Sequence, residues 1–190
     1  CNDRDREYQL NQLWFFLNRP TNTGGHGWDV GGRLDMVYGT DWRYGQGWGL
    51  ENQINSEDNL YGLVLPQVYG EVAVNDLTVR AGRFAGLLCY EQVPSVANFF
   101  YYHSYTMCYT EPQLVTGAMA DYKLSSEWSV QAGFHRGWYM WEDVNEHNDF
   151  MGGFRWASPS QRTKISYHIT NGNQSNLAQL PDMGNWFAHG

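Results

Sequence analysis

The chain has 190 residues, with 20 Asp and Glu against 12 Lys and Arg, giving a formal net charge of −8. The length fits one domain of ordinary size. The charge balance excludes a nucleic-acid binder that works by neutralising phosphates, and 9 Trp, 13 Tyr and 9 Phe exclude a disordered chain.

Period-two alternation recurs along the chain, and helical periodicity is almost absent. The first such segment runs from Tyr8 to Asn18. In the next, one face carries Trp28, Val30, Gly32, Leu34, Met36 and Tyr38, and the other carries Asp29, Gly31, Arg33, Asp35 and Val37. Gln67 to Asn75 and Leu77 to Phe84 follow, joined by a tight turn at Asn75-Asp76, whose side chains tolerate the backbone a hairpin demands. Leu114 to Tyr122 and Trp128 to Trp138 are joined through Leu124 to Glu127. Phe150 to Ala157 and Lys164 to Asn171 are joined through Ser158 to Arg162. About eight strands are expected from this alternation.

The connections carry the architecture. Thr40 to Pro66, Ala85 to Gln113, Tyr139 to Asp149 and everything after Asn171 are long, and short turns stand between them. Arg19 to Gly27 is intermediate and rich in turn formers. Short and long connections alternate in a transmembrane barrel, with short periplasmic turns and long outer loops. The expected fold is all-β: an antiparallel transmembrane β-barrel in one domain over 1–190, with strands within 8–171 and an extracellular loop or tail over 172–190. With short turns periplasmic, the first strand enters from the outer side, so the reading is of part of a larger barrel.

Spacing points the same way. Ten residues separate Trp28 from Tyr38 and Trp128 from Trp138. At ~3.3 Å per residue and a tilt of ~40°, ten residues project to about 25 Å, the height of an apolar band between aromatic girdles. These four are the expected girdle residues. Alternation then turns Arg33, Asp35, Glu71, Arg80, Gln131, His135, Arg155, Lys164 and His168 toward the lumen, beside Gln67, Tyr69, Thr78 and Ser166. Two readings of the cations stand open. Arg33, Arg80, Arg155 and Lys164 set charge selectivity, or they pair with Asp35, Glu71 and one another to hold the wall. Arg136 falls on the apolar face near a strand end, where it snorkels to a headgroup or marks a bulge near Gly137.

The loop from Ala85 to Pro112 is aromatic, with Phe99, Phe100, Tyr101, Tyr102, Tyr105 and Tyr109. It reads either as a constriction folded into the pore or as packing at the outer rim. Asp143 to Asp149 alternates metal-type ligands but lacks the spacing and glycine of an EF-hand, so it reads as a solvated acidic loop. The chain contains no GxSxG, HExxH, GxxxxGK[ST] or strand–helix GxGxxG motif. Neither an enzyme nor a cofactor or metal is expected.

The stretches Glu7 to Gln12, Asp35 to Asp41 and Tyr61 to Gln67 resemble the OmpL-like β-barrel porins, the second porin family of that name. The most specific likeness is the loop with Tyr90-Glu91, Val93-Pro94, Asn98 to Phe100, His103 to Thr106 and Glu111-Pro112. Trp128 to Val130 and Arg136 to Trp138 follow in order. The likeness covers roughly residues 7–173, about the first half of a family member. It implies an outer-membrane barrel of a Gram-negative-type envelope, passing small hydrophilic solutes or ions. The lipid bilayer and those solutes are the implied partners, and a homo-oligomer is open. Two other readings stand beside it: a structural, plugged envelope barrel and a soluble β-rich carbohydrate-binding module.

Three cysteines, Cys1, Cys89 and Cys108, show no CxxC spacing. Cys89 and Cys108 depart from the family pattern and share one long loop. In an oxidising envelope they are candidates for a disulfide, worth ~3 kcal/mol in the chain-entropy picture.

Overall fold

Side chains alternate across a strand, so a segment with one apolar and one polar face is stable where two different environments meet. In the computed structural model each alternating segment is a strand, and all of them join in one antiparallel sheet. The structure describes residues 7–56, 58–88, 91, 98–100, 104–105, 111–143, 146–173 and 185–189. Cys1, Cys89 and Cys108 lie outside the described residues.

The strands are β1 (Leu13–Arg19), β2 (Trp28–Gly39), β3 (Gly62–Val64), β4 (Val68–Val74), β5 (Leu77–Ala85), β6 (Leu114–Lys123), β7 (Trp128–Trp138), β8 (Asp149–Ala157), β9 (Lys164–Asn173) and β10 (Asn185–His189). Each pairs with its neighbour in chain order, except that β2 pairs with β4 and the short β3 pairs with the loop-side end of β2. Two helical turns, α1 (Trp42–Gly45) and α2 (Leu50–Ile54), lie between β2 and β3. Short turns stand at one end of the sheet and the long connections at the other.

Three features differ from the sequence reading. β1 starts at Leu13 rather than Tyr8. β3 arises inside the first long connection. β9 extends to Asn173 and β10 pairs with it, where a loop or tail over 172–190 was expected, so ten strands stand among the described residues rather than about eight. β3 has only three residues and β10 five, too few for alternation to announce them.

Register sorts the two faces into rows. Gly31, Glu71, Arg80, Met119, Gly133, Met151 and Thr170 face one another across seven strands. Three residues along, Trp28, Val74, Leu77, Tyr122, Val130, Phe154 and Tyr167 form a row on the opposite face. The first face is buried and the second is exposed. Phe134 is 60% exposed and Trp28 74%, whereas Asp35, His135 and Asp149 are 1% exposed or less. Large apolar residues face outward and polar ones inward, the reverse of a protein folded in water.

Apolar packing on the inner face is local. Phe84, Val115, Met119 and Met151 form one cluster, joined by Tyr69 and by Leu87 from the segment after β5. Val37, Trp42, Val64 and Trp14 form a second, which seats α1 against β2 and β3.

Candidate functional site

The polar inner face is the candidate site, and the strands present it as a series of neutralised charges. On β2, Arg33 forks onto Asp35, with Nε to Oδ1 at 2.7 Å and Nη2 to Oδ2 at 2.9 Å. Gln67 Nε2 adds a third donor to the same carboxylate at 3.0 Å. A charge this buried is stable only when its lone pairs are filled. The Arg33 guanidinium also lies 5.7 Å from the centre of the Phe16 ring.

The second pair joins β4 to β5. Glu71 and Arg80 are direct cross-strand partners, with Arg80 Nη2 2.9 Å from Glu71 Oε2. Thr21, from the turn after β1, donates to Glu71 Oε1 at 2.6 Å. Tyr69 and Phe84 flank the guanidinium at 5.1 and 6.0 Å, which keeps Arg80 against the wall.

The third group spans β6 to β9. Gln131 donates to Asp121 at 2.9 Å and to Ser129 at 3.0 Å, and its amide oxygen faces His168 Nε2 at 3.3 Å. Arg155 Nη1 stands 3.6 Å from Asp121. Further toward the loops, the Gly137 N–H donates to His135 Nδ1, which leaves the ring proton of a neutral imidazole on Nε2. That nitrogen is 3.0 Å from Thr170 Oγ1, and Thr170 donates to the Phe150 carbonyl at 3.1 Å. Asp149 lies beside the ring at 3.9 Å.

Of the lumen residues expected from sequence, Arg33, Asp35, Glu71, Arg80, Gln131, His135 and His168 thus sit on the inner face in ion pairs or hydrogen-bonded groups. Arg155 pairs with Asp121 but is half exposed. Lys164 opens β9 at the turn side and is exposed.

The girdle residues divide. Trp28 and Tyr38 share the outer face of β2, and Tyr38 stacks on Tyr61 with ring centres 6.0 Å apart. Trp128 packs against Phe154 and Trp156 on the outer face. Trp138 is a correction. The β6–β7 register pairs Gly117 with His135 but Val115 with Trp138, so β7 carries one extra residue. This bulge, at Gly137 with φ 115°, reverses the alternation and puts Trp138 on the face of buried Val115. Arg136, just before it, remains exposed on the outer face and donates to the Trp141 carbonyl at 3.1 Å.

One group escaped the sequence reading. Arg83 and Glu51 are both fully buried, with Arg83 Nη2 3.8 Å from Glu51 Oε2. Arg83 also donates to the Gly45 carbonyl and lies 4.9 Å from the Trp141 ring centre. Glu51 accepts the backbone N–H of Gly47 and of Leu65. A Cβ on Gly47 would come within 2.6 Å of the Arg83 guanidinium, so a larger residue there would have to displace it. Trp48 pairs through its backbone with Tyr139 and Trp141, tying the first long connection to the third. Arg83 stands at the alternation of outward-facing Val79 and Ala81, and Glu51 stands in the short helical turn α2, so neither gave a periodic signal.

Among the described residues no cluster of His, Cys, Asp and Glu could hold a metal ion, and no helix is long and apolar enough to cross a membrane. A sheet whose polar face is sealed inside and whose apolar, aromatic-edged face is open suits a pore wall in lipid, where strands do the crossing. No curated protein and no solved structure matches the chain. A family match runs over residues 1–190, to the family described as "Putative beta-barrel porin-2, OmpL-like", and the chain belongs to that family of β-barrel porins.

Proposed function

We propose that this chain forms the wall of an outer-membrane pore through which small hydrophilic solutes or ions diffuse passively. The observation that carries this reading is the inverted burial of the sheet. Val30, Val72, Val79, Phe134 and Ile165 are 41–60% exposed on one face, while Asp35, Gln131, His135 and His168 are at most 4% exposed on the other. In water the exposed band would forgo about 25 cal/mol for each Å² of apolar surface left wet. In lipid the same band is the favourable face. A soluble carbohydrate-binding sandwich would instead bury Val30 and Phe134.

The inner face has the chemistry of a passive wall. Its charges are fixed in pairs, its His135 ring is held by two hydrogen-bonding neighbours, Gly137 and Thr170, and its outer rows end in Trp and Tyr at the level of headgroups. In this reading β1 and β10 are joined by further strands of a closed barrel, since an open edge has no place in hydrocarbon. The outer leaflet lies at the long connections and the periplasm at the short turns.

A second reading, a plugged structural barrel, draws on one observation: the apolar cluster of Phe84, Met119, Met151 and Leu87 on the inner face. Single-channel recording of the complete, natively purified protein in a planar bilayer separates the two. Discrete, stable conductance steps are expected of a pore. Insertion and heat-modifiable migration without conductance would favour the plugged barrel, and failure to insert would favour a soluble module.

A further inference from the structure

The charges are not spread evenly along the axis of the sheet. The three long connections within 40–148 hold Asp41, Glu51, Glu57 and Asp58, then Glu91 and Glu111, then Glu142, Asp143 and Glu146. Arg43 is their one Lys or Arg. Asp58, Glu142, Asp143 and Glu146 are exposed.

The wall is different. Arg33 is held by Asp35 at 2.7 Å, Arg80 by Glu71 at 2.9 Å and Arg155 by Asp121 at 3.6 Å. Asp29, on the same face near the turns, is held by Arg19 at 3.0 Å. A closed pair presents a weaker and shorter-ranged field than a lone charge, because the two contributions partly cancel. Lys123 and Lys164 lie at the opposite, turn-side end of the sheet.

From this polarity we infer that the pore prefers small cations to anions of the same size, and that the acidic loop-side mouth sets the preference rather than the arginines of the wall. The inference rests on the reading of the chain as an open pore. The mechanism is enrichment. A mouth of one sign raises the local concentration of counter-ions, and the effect decays within a Debye length of ~10 Å at 0.1 M salt and ~3 Å at 1 M. Asp58, Glu142, Asp143 and Glu146 are exposed on the loops, so the preference depends strongly on salt. A site of paired charges inside the wall would depend on it little.

The test is the reversal potential of the complete, natively purified protein in a planar bilayer under a tenfold KCl gradient, near 0.1 M and again near 1 M. The expected result is a K⁺ over Cl⁻ permeability ratio of about threefold or more at the lower salt, falling toward one at the higher. The triple variant Asp58→Asn, Glu142→Gln, Glu146→Gln alters only exposed loop residues and is expected to bring the low-salt ratio to less than half its native value. Anion preference, a ratio that persists at 1 M, or a ratio untouched by the triple variant would overturn the inference while leaving the pore intact. Absence of conductance steps would overturn the pore reading itself, and this inference with it.

Discussion

Single residues on β7 show how the sheet assigns its two environments. Gln131, Gly133 and His135 are buried, while Val130, Ala132 and Phe134 are exposed, one residue apart each time. Ala118 and Phe150 are the cross-strand neighbours of Phe134, and its ring stacks edge-on with Phe150 at 5.9 Å. A cation placed there would stand in hydrocarbon. Phe134→Arg is therefore expected to destabilise the folded protein by about 2–4 kcal/mol in lipid vesicles. Denaturant unfolding followed by tryptophan fluorescence reads this directly, and an effect near zero would mean that this face is wet. The assignment of Phe134 and His135 to opposite faces was legible in the sequence, because period two needs no tertiary information. The pairing of Arg83 with Glu51 was not legible, since 32 positions and a loop separate the partners.

At the scale of elements, the hairpins fix the register of the sheet. The β4–β5 turn has two residues, and Asn75 adopts φ 52°, a left-handed conformation that Asn tolerates. The turn is also a junction. Asn75 Oδ1 accepts the Gly27 N–H at 3.0 Å, the Asn75 N–H donates to the Gly27 carbonyl, and Thr23 donates to the Asn75 carbonyl at 2.6 Å. These bonds lock the β1–β2 connection onto the next hairpin. A β-branched residue there would be strained and would lose the side-chain acceptor. Asn75→Val is expected to cost about 1–3 kcal/mol and Asn75→Gly distinctly less. Comparing the two by the same unfolding measurement tests whether backbone strain or the hydrogen bond dominates. The Asn-Asp signal made this turn legible. The β7 bulge was legible only as a conflict, a charged Arg136 on an apolar face. Its consequence for Trp138 required the register of β6.

At the scale of the molecule, the sheet and its loop-side rim obey different rules. The wall is held by cross-strand register, whereas the rim is held by side chains reaching from strand ends to connections, as Arg83 of β5 reaches Glu51. The rim also holds the titrating group of interest. Burial, with the Glu91 charge adding to it, pushes the Glu111 carboxyl above its ordinary range. A carboxyl whose folded pKa lies above its unfolded one binds its proton more tightly when folded. Its contribution is therefore most favourable below the ordinary carboxylate range and is lost as pH rises through the folded value. Limited proteolysis within 86–113 is expected to be slower at pH 4 than at pH 7 relative to a control loop peptide. Glu111→Gln is expected to slow the pH 7 cleavage and flatten the difference. A pH dependence unchanged in the variant would remove Glu111 from the cause.

The sequence by itself determined which segments cross and which way their residues face. Alternation, turn chemistry and loop length are local, and a strand in a barrel has to satisfy lipid on one side and water on the other whatever its neighbours are. It also carried the family likeness, over 7–173. The tertiary structure decided everything that depends on which residues meet. It placed Glu71 opposite Arg80 and Gln131 between Asp121 and His168, turned Trp138 inward through one extra residue, and added β3 and β10, which are too short to be read alone. It also buried Glu51 against Arg83. Pairing is a property of register, and register is set by hydrogen bonds between one strand and the next, so no single segment contains it.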